Sequence, residues 1–360
     1  MVDPLTNRHP VERPPAALSG QRTTLAAVAR STGVSISTVS KVINGRSGVS
    51  TATRERVEAS LNELGYVSLG ARQGSLLLSG ESSIDVVVDP HDISNPYLST
   101  FLGGAMEAAG ELHAAILLRS IDNVAEAHPA TWAQDIARAG RAGVVEVTSR
   151  YSPERERALK QAGIPMVLVD PIDLPRTSTP SVGATNWAGG YSATQHLIDL
   201  GHRRIRYIGG PPGAHCDVVR AHGWAAAMAE AGLEASLDAV PRGAYTFEHG
   251  LAAATQLLTL NERPTGIFAG SDTTAMGVIE AARRLGIEVP GQLSVVGFDD
   301  TLLARMSAPP LTTVHQPIAD IAQTAIQTVL RLARGETLKT RRVELATHLV
   351  IRDSTNPPNT

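Results

Sequence analysis

The stretch Gly33-Val-Ser-Ile-Ser-Thr-Val-Ser-Lys41 is rich in small hydroxyl residues and ends on a cation. Read as a helix, it turns Val34, Val39, Val42 and Ile43 inward and leaves Ile36, Ser37, Ser40 and Lys41 outside. Small hydroxyls let a helix approach another surface closely, and each can donate and accept a hydrogen bond. No Asp or Glu occurs from Arg22 to Arg54. Such a face suits a polyanion, with hydroxyls and an ammonium set against phosphate oxygens and base edges. On spacing alone, a three-helix packing module is the other reading. Catalytic and metal chemistry find less support. None of the 11 His has metal-pair spacing on a helix, and there is no H-E-x-x-H. Gly209-Gly-Pro-Pro-Gly213 lacks both the Walker lysine and the G-x-G-x-x-G order, and no G-x-S-x-G elbow appears. Cys216 stands alone, which excludes an internal disulfide and a cysteine cluster for zinc.

The elements that would position this face lie within Thr23–Val67. Thr24 is placed to cap a first helix whose apolar side is Leu25, Val28 and Ala29, and Gly33 to end it. A second helix runs from about Ser35 to Ile43. Ser50 is placed to cap a third, with Val57, Leu61 and Leu64 inward and Gly65 at its end. Two helices joined by a tight Gly-containing turn make a helix-turn-helix, which lays its second helix in the major groove.

Beyond Ser83 the chain alternates short apolar runs with helical spacing. Strands are predicted at 84–88, 114–118, 143–147, 166–169, from Ser181, at 205–208, 239–241, 266–269, 293–298 and 342–350. Helices are predicted between them and at 318–334. Apolar runs of this length alternating with helices imply parallel sheets. They are too many for one compact sheet and fall into two similar series, so two doubly wound subdomains with a cleft between them are expected. Such folds bind ligands beyond the carboxyl ends of their strands. Length and composition agree: 360 residues, 42% hydrophobic, mean hydropathy −0.02, and no apolar run long enough for a transmembrane helix. The charge is uneven. Residues 1–72 hold nine Lys or Arg against five Asp or Glu, a balance of +4, which leaves the rest at −7. A small positive domain on a larger negative body suits a polyanion gripped by one end.

Thr24-Leu-Ala-Ala-Val-Ala, Gly33-Val-Ser-Ile-Ser-Thr-Val-Ser-Lys-Val-Ile-Asn-Gly, Val49-Ser-x-x-Thr-Arg-Glu-Arg-Val and Leu64-Gly-Tyr66 closely resemble the headpiece of the lactose-repressor (LacI/GalR) family of bacterial regulators. The resemblance implies base reading by Ile36, Ser37 and Lys41, and DNA contact by Thr24, Ser35, Thr38, Asn44, Ser50 and Thr53. The family usually has Arg where Lys41 stands. An Arg fork grips guanine bidentately where Lys offers a point charge. With 3 Lys in the chain against 29 Arg, Lys41 is no compositional default. The linker after Tyr66 lacks the family's Pro-Asn pair and carries Gly70 and Gly74; Leu76 or Leu77 would be the leucine that wedges the minor groove, and a plain tether is the alternative.

For the body, the resemblance implies a periplasmic-binding-protein-like effector domain with Asn95, Tyr97, Arg220, Tyr245, Ser271, Asp272 and Asp299 facing the cleft. Each has a blander reading: Asp272 as a helix cap, Arg220 as a surface ion pair, Tyr245 as core. Asp299 is preferred over Asp300 only by alignment, and Trp187 reads as packing at the cleft edge. Carboxylates and Arg for vicinal hydroxyls, with an aromatic face for the ring, suit a sugar. Gly183–Gly190 and Asp170-Pro171 look like those of regulators of plant-polysaccharide use, pointing to xylose or xylo- or cello-oligosaccharides.

The expected organisation is a disordered lead-in (1–21), a helix-turn-helix domain (22–67), a hinge or linker (68–82), an effector and dimerisation domain (83–353) and a frayed tail (354–360). Subdomain one would take about 83–178 and 315–334, subdomain two about 179–314 and 335–353. The expected function is a cytoplasmic, homodimeric regulator, a repressor on a near-palindromic operator, controlled by a small-molecule effector. No cofactor, metal, catalysis or membrane role is expected. A sugar-binding protein or an α/β enzyme without a DNA role is the alternative.

Overall fold

The computed structural model describes residues 25–43, 48–63, 82–121, 126–175 and 179–359. Thr24, Asn44, Leu76 and Leu77 lie outside them, as do the lead-in and all but the last residue of the linker. The chain divides into two compact units, residues 1–75 and 76–360.

In the first unit, α1 (Leu25–Thr32), α2 (Ile36–Ile43) and α3 (Thr51–Glu63) enclose a small core. Val28, Ala29, Val39, Val42 and Val57 are buried, with Val34, Val49 and Leu61 packed against them. These are the positions that i, i+3, i+4 spacing turns inward. Gly33 ends α1 at φ 67, a conformation open to residues without a side chain, and Val34 N–H closes the turn on the Ala29 carbonyl at 3.2 Å.

The second unit carries two sheets. Sheet 1 has the order β10-β5-β4-β3-β1-β2: β1 (Ser82–Val88), β2 (Ala114–Ser120), β3 (Gly143–Val147), β4 (Met166–Val169), β5 (Ser181–Ala184) and β10 (Arg342–Leu345), all parallel. Sheet 2 has the order β11-β9-β8-β7-β6: β6 (Ile205–Ile208), β7 (Gly266–Ala269), β8 (Ser294–Asp299), β9 (Thr312–His315) and an antiparallel edge, β11 (His348–Val350). Between strands run α4 (Pro96–Glu111), α5 (Pro129–Arg138), α6 (Pro153–Gln161), α7 (Asn186–Asp199), α8 (His215–Glu230), α9 (Phe247–Leu258), α10 (Asp272–Arg284), α11 (Leu302–Met306) and α12 (Ile318–Ala333). Sheet 1 is covered on one face by Phe101, Ile321, Ile326 and Val329, and on the other by Trp132, Ile136 and Leu159. Coverage on both faces is why its strands read as near-continuous apolar runs. Glu146 breaks the run of β3 and is 1% exposed; Arg155 of α6 meets it with two hydrogen bonds at 2.9 and 3.0 Å.

Three expectations are corrected. Residues 181–184 pair with β4, and residues 342–345 pair in turn with 181–184, so both belong to sheet 1 rather than to the second subdomain; for 342–345, pairing across about 160 residues outweighs order along the chain. Residues 239–241 form no strand: a 3-10 turn occupies Leu237–Ala239. The tail is anchored as far as Asn359, whose Nδ2 donates to the Gly291 carbonyl at 2.7 Å. Ser354 Oγ donates to the Val295 carbonyl at 2.6 Å and accepts the Thr312 N–H at 2.8 Å, while Asn356 N–H reaches Ser294 Oγ at 3.0 Å.

The chain crosses between the sheets three times, after β5, after β9 and after β10. The first and third crossings are laced together. Thr185 N–H donates to the Leu345 carbonyl at 2.9 Å, and Thr347 N–H donates to Thr185 Oγ1 at 2.9 Å. Among the described residues no helix is long and apolar enough to cross a membrane.

Candidate functional site

Two places gather the residues singled out by sequence. On the first unit, Ser35 Oγ accepts the Thr38 N–H at 3.1 Å and so caps α2. It also lies 2.8 Å from both Ser37 Oγ and Thr38 Oγ1. Ser50 repeats the arrangement at α3, accepting the Thr53 N–H at 3.3 Å with Thr53 Oγ1 2.8 Å away. Two helix starts, each ringed by hydroxyls, present dipole ends that favour phosphate oxygens. Ile36 is 51% exposed, and Ser37 and Lys41 are exposed too. A large aliphatic side chain left in water on a helix with a packed opposite face suits contact with another surface.

The second place is a cavity of about 420 Å³ beyond the carboxyl ends of the strands. Its wall includes Asn95 and Tyr97 from the start of α4, Asp170 after β4, Cys216 and Arg220 from α8, Tyr245, Ser271, Thr273 and Asp299. Arg220 is 4% exposed. Its Nε donates to Asn186 Oδ1 at 2.7 Å and its Nη1 to the Gly270 carbonyl at 2.6 Å. The guanidinium lies over the Phe298 ring, 3.7 Å from the centroid, and 4.0 Å from Asp299. That position depends on close packing of α7 and α8: a Cβ at Gly190 would fall 2.3 Å from the Arg220 carbonyl oxygen, and one at Gly223 2.3 Å from that of Trp187.

Asp299 ends β8 and Asp300 follows it, with successive positive φ angles of 114 and 57. The turn gives the two carboxylates different duties. Asp299 lines the cavity and accepts from Gln316 Nε2 at 2.6 Å. Asp300 accepts from Arg352 at 2.6 Å and meets His315 Nδ1 at 3.0 Å. Burial pushes the Asp299 carboxyl up to about 7, against the pull of the Arg220 charge and the Gln316 hydrogen bond.

Asp272 is not brought to the cavity wall. It is fully buried, and it accepts from Thr301 N–H at 2.7 Å, Thr301 Oγ1 at 2.9 Å and Thr313 Oγ1 at 2.6 Å. Burial, then the nearby Asp299 charge, raises its carboxyl to about 8. It ties α10 to the loop after β8 and to β9. Ser271 lines the cavity, yet its Oγ accepts the Thr274 N–H at 3.1 Å, so Ser271 rather than Asp272 caps the helix. Trp187 is 46% exposed and lies outside the core, packed on one side only. Asn95 is both cap and wall, with Oδ1 accepting the Tyr97 N–H at 3.0 Å.

Two carboxylates tied to the cavity tyrosines, Asp170 and Asp217, were not among the site residues expected from sequence. Asp170, at φ 40, accepts from the Tyr97 hydroxyl at 2.5 Å. Burial raises its carboxyl, offset by the Tyr97 hydrogen bond and the Arg220 charge. Asp217, fully buried in α8, accepts from Tyr207 at 2.6 Å and Gly210 N–H at 2.6 Å, pairs with Arg242, and has the Tyr245 hydroxyl 3.4 Å away. Asp170 left a signal, an acid directly after a buried strand; Asp217 left none. Burial also raises the Tyr97 and Tyr245 hydroxyls well above their ordinary value, which keeps both protonated. The lining residues carry five carboxylates, on Asp89, Asp92, Asp170, Glu248 and Asp299, against one guanidinium, on Arg220. The wall thus accepts many hydrogen bonds and offers one fixed positive charge.

Comparison with known proteins places both units. Residues 24–68 match the bacterial regulatory proteins of the lacI family, and residues 194–355 match the periplasmic binding protein-like domain. The HTH-type transcriptional regulator DegA of Bacillus subtilis is 34% identical over 343 residues, which cover 94% of this chain and 100% of the relative. Among solved structures, a complex of the transcriptional regulator CelR with cellobiose is 31% identical with a TM-score of 0.69, covering 92% of this chain and 100% of that one. The lac repressor dimer bound to operator and the anti-inducer ONPF is 26% identical with a TM-score of 0.68, covering 93% and 100%.

Proposed function

The chain belongs to the lacI family of bacterial regulatory proteins, a ligand-responsive transcriptional regulator rather than an enzyme, and we propose that its effector is a neutral sugar or short oligosaccharide held in the 420 Å³ cavity. The carrying observation is the wall itself: five carboxylates and two protonated tyrosines around one buried guanidinium. Vicinal hydroxyls supply donors to such a wall, while a phosphate ester would meet a surplus of negative charge and one cation. The volume falls within the roughly 300–1,000 Å³ usual for small-molecule sites. Support for a sugar also comes from the relative whose structure holds cellobiose.

In this reading Ile36, Ser37 and Lys41 read bases, and the α2 and α3 starts, with Ser35, Thr38, Ser50 and Thr53, hold phosphates. The regulator acts in the cytoplasm as a homodimer on a near-palindromic operator, because one headpiece contacts too few base pairs for useful specificity. The effector shifts the balance between forms that bind and release DNA, and repression is the favoured outcome.

Mobility shift with fragments of the upstream region, with and without effector, tests the DNA half. Calorimetric titration with xylose, xylobiose, glucose and cellobiose, alongside glucose 6-phosphate, tests the other. Binding of the phosphate ester with no response to any free sugar sinks the neutral-sugar assignment and leaves the cavity in place.

A further inference from the structure

The effector cavity has a neighbour. A second cavity of about 220 Å³ lies beside it, bounded by β5, β10 and the first turns of α7 and α8. The two share Asp170 and Cys216 as walls. Trp187 lines the second one. Trp132 and Trp224 are buried, at 4% and 2% exposure; Trp187 is 46% exposed. It is nevertheless held in place. Its indole stacks on Tyr191 one turn along α7, with centroids 5.2 Å apart and planes 19° apart, and the Tyr191 hydroxyl donates to Glu230 at 2.7 Å. One face of the indole is therefore backed by a tethered ring.

The polar groups of this cavity suit an uncharged ligand. Arg342 and Glu344, of opposite sign, sit two residues apart on β10. Burial, then the Arg342 charge, lowers the His215 imidazole pKa, so at neutral pH it is uncharged and both donates and accepts. Asp170 reaches the boundary because Gly183 leaves it room: a Cβ there would fall 2.6 Å from Asp170 Oδ1.

We propose that the second cavity takes the next sugar unit of a short oligosaccharide whose first unit occupies the main cavity. Trp187 is its stacking platform, and Asp170 accepts hydroxyls where the two units join. This rests on the neutral-sugar reading above and narrows it to an oligosaccharide of at least two units. A pyranose offers an apolar C–H face to an aromatic plane and a rim of hydroxyls to everything else, which is the division of surface found here.

The test is calorimetric titration of the full-length protein with glucose, cellobiose and cellotriose and with xylose, xylobiose and xylotriose. In one of the two series the wild type should bind the disaccharide at least about ten-fold more tightly than the monosaccharide, and Trp187→Ala should remove about ten-fold of disaccharide affinity, the upper range of an aromatic contact. Monosaccharide affinity should stay within about two-fold, and Trp187→Phe should fall between. Because Trp187 is outside the core, melting temperature should hold. Equal loss for mono- and disaccharide, or no loss for either, overturns the subsite. A wild type that binds monosaccharide and disaccharide alike overturns the subsite while the sugar reading stands. A wild type that binds none of the six overturns both.

Discussion

Ser35 and Thr38 hold each other at 2.8 Å across three residues of chain, whereas Tyr97 and Asp170 meet at 2.5 Å across 73. The contrast runs through the molecule. In the headpiece the side chains proposed to work are exposed or half-buried, and the hydrogen bonds of Ser35, Ser37, Thr38, Ser50 and Thr53 span three residues or fewer. In the effector domain they are buried and tied over long range: Arg220 to Asn186 and Gly270, Asp299 to Gln316. Removing an exposed side chain costs what it did for a partner and little else. Removing a buried one also leaves donors and acceptors without water or protein, at about 1–3 kcal/mol each. Headpiece variants should therefore separate function from stability cleanly, and cavity variants should mix them.

The hardest test of that contrast is Asp272, which faces three donors and no cavity. Asp272→Ala should destabilise the effector domain by about 3 kcal/mol or more, through two hydroxyls and one N–H left unpaired. Chemical denaturation would measure it. Ionisation sharpens the prediction. With folded-state values raised to about 8 for Asp272 and about 7 for Asp299, the folded state holds more protons than the unfolded chain above pH of about 4. Stability should then fall as pH rises from about 4 towards 8. Asp272→Asn should flatten that decline; an unchanged slope would put the protons elsewhere.

Arg220→Ala comes next. It should cost about 1.5–3 kcal/mol of effector affinity, read by calorimetry, together with a lower melting temperature because the Asn186 and Gly270 groups lose their partner. Loss of stability with wild-type effector affinity would make Arg220 a hinge fastener and nothing more. Lys41→Ala should cost about 1–3 kcal/mol on the operator, less on random DNA, with no change in melting temperature. Equal losses on both DNAs would move Lys41 from bases to phosphate. The smallest effect belongs to Ser50→Ala, which removes the α3 cap: about 1 kcal/mol of headpiece stability by denaturation, with a modest, sequence-independent loss of DNA affinity.

The same contrast explains what the sequence could be made to say. The headpiece core of Val28, Val39, Val42 and Val57 and the Ser35 and Ser50 caps follow from local spacing, so reading along the chain finds them. The alternation of strands and helices is equally local. Sheet membership is not: β10 joins sheet 1 through β5, a partner about 160 residues away, and nothing within the strand marks its sheet. In the cavity, Arg220 and Tyr245 stand out by type. The part played by Asp170 is created by a tyrosine 73 residues away. That Ser271 and Thr273 line the cavity while Asp272 does not was decided by where Thr301 and Thr313 arrive.

The three crossings between the sheets are unequal, and the inequality sets how the two halves can move. Thr185 and Thr347 stitch the first and third strands of the passage into a single strap. The second strap runs through Gln316 and is fastened elsewhere, to the Asp299 carboxylate in the cavity. Two anchors define a line, and two bodies joined at two points on a line keep one easy freedom, rotation about it. Sliding and twisting must stretch a strap. Opening and closing of the cleft is in this sense a door's motion, and one of its two hinge pins is set in a residue that the effector itself would grasp.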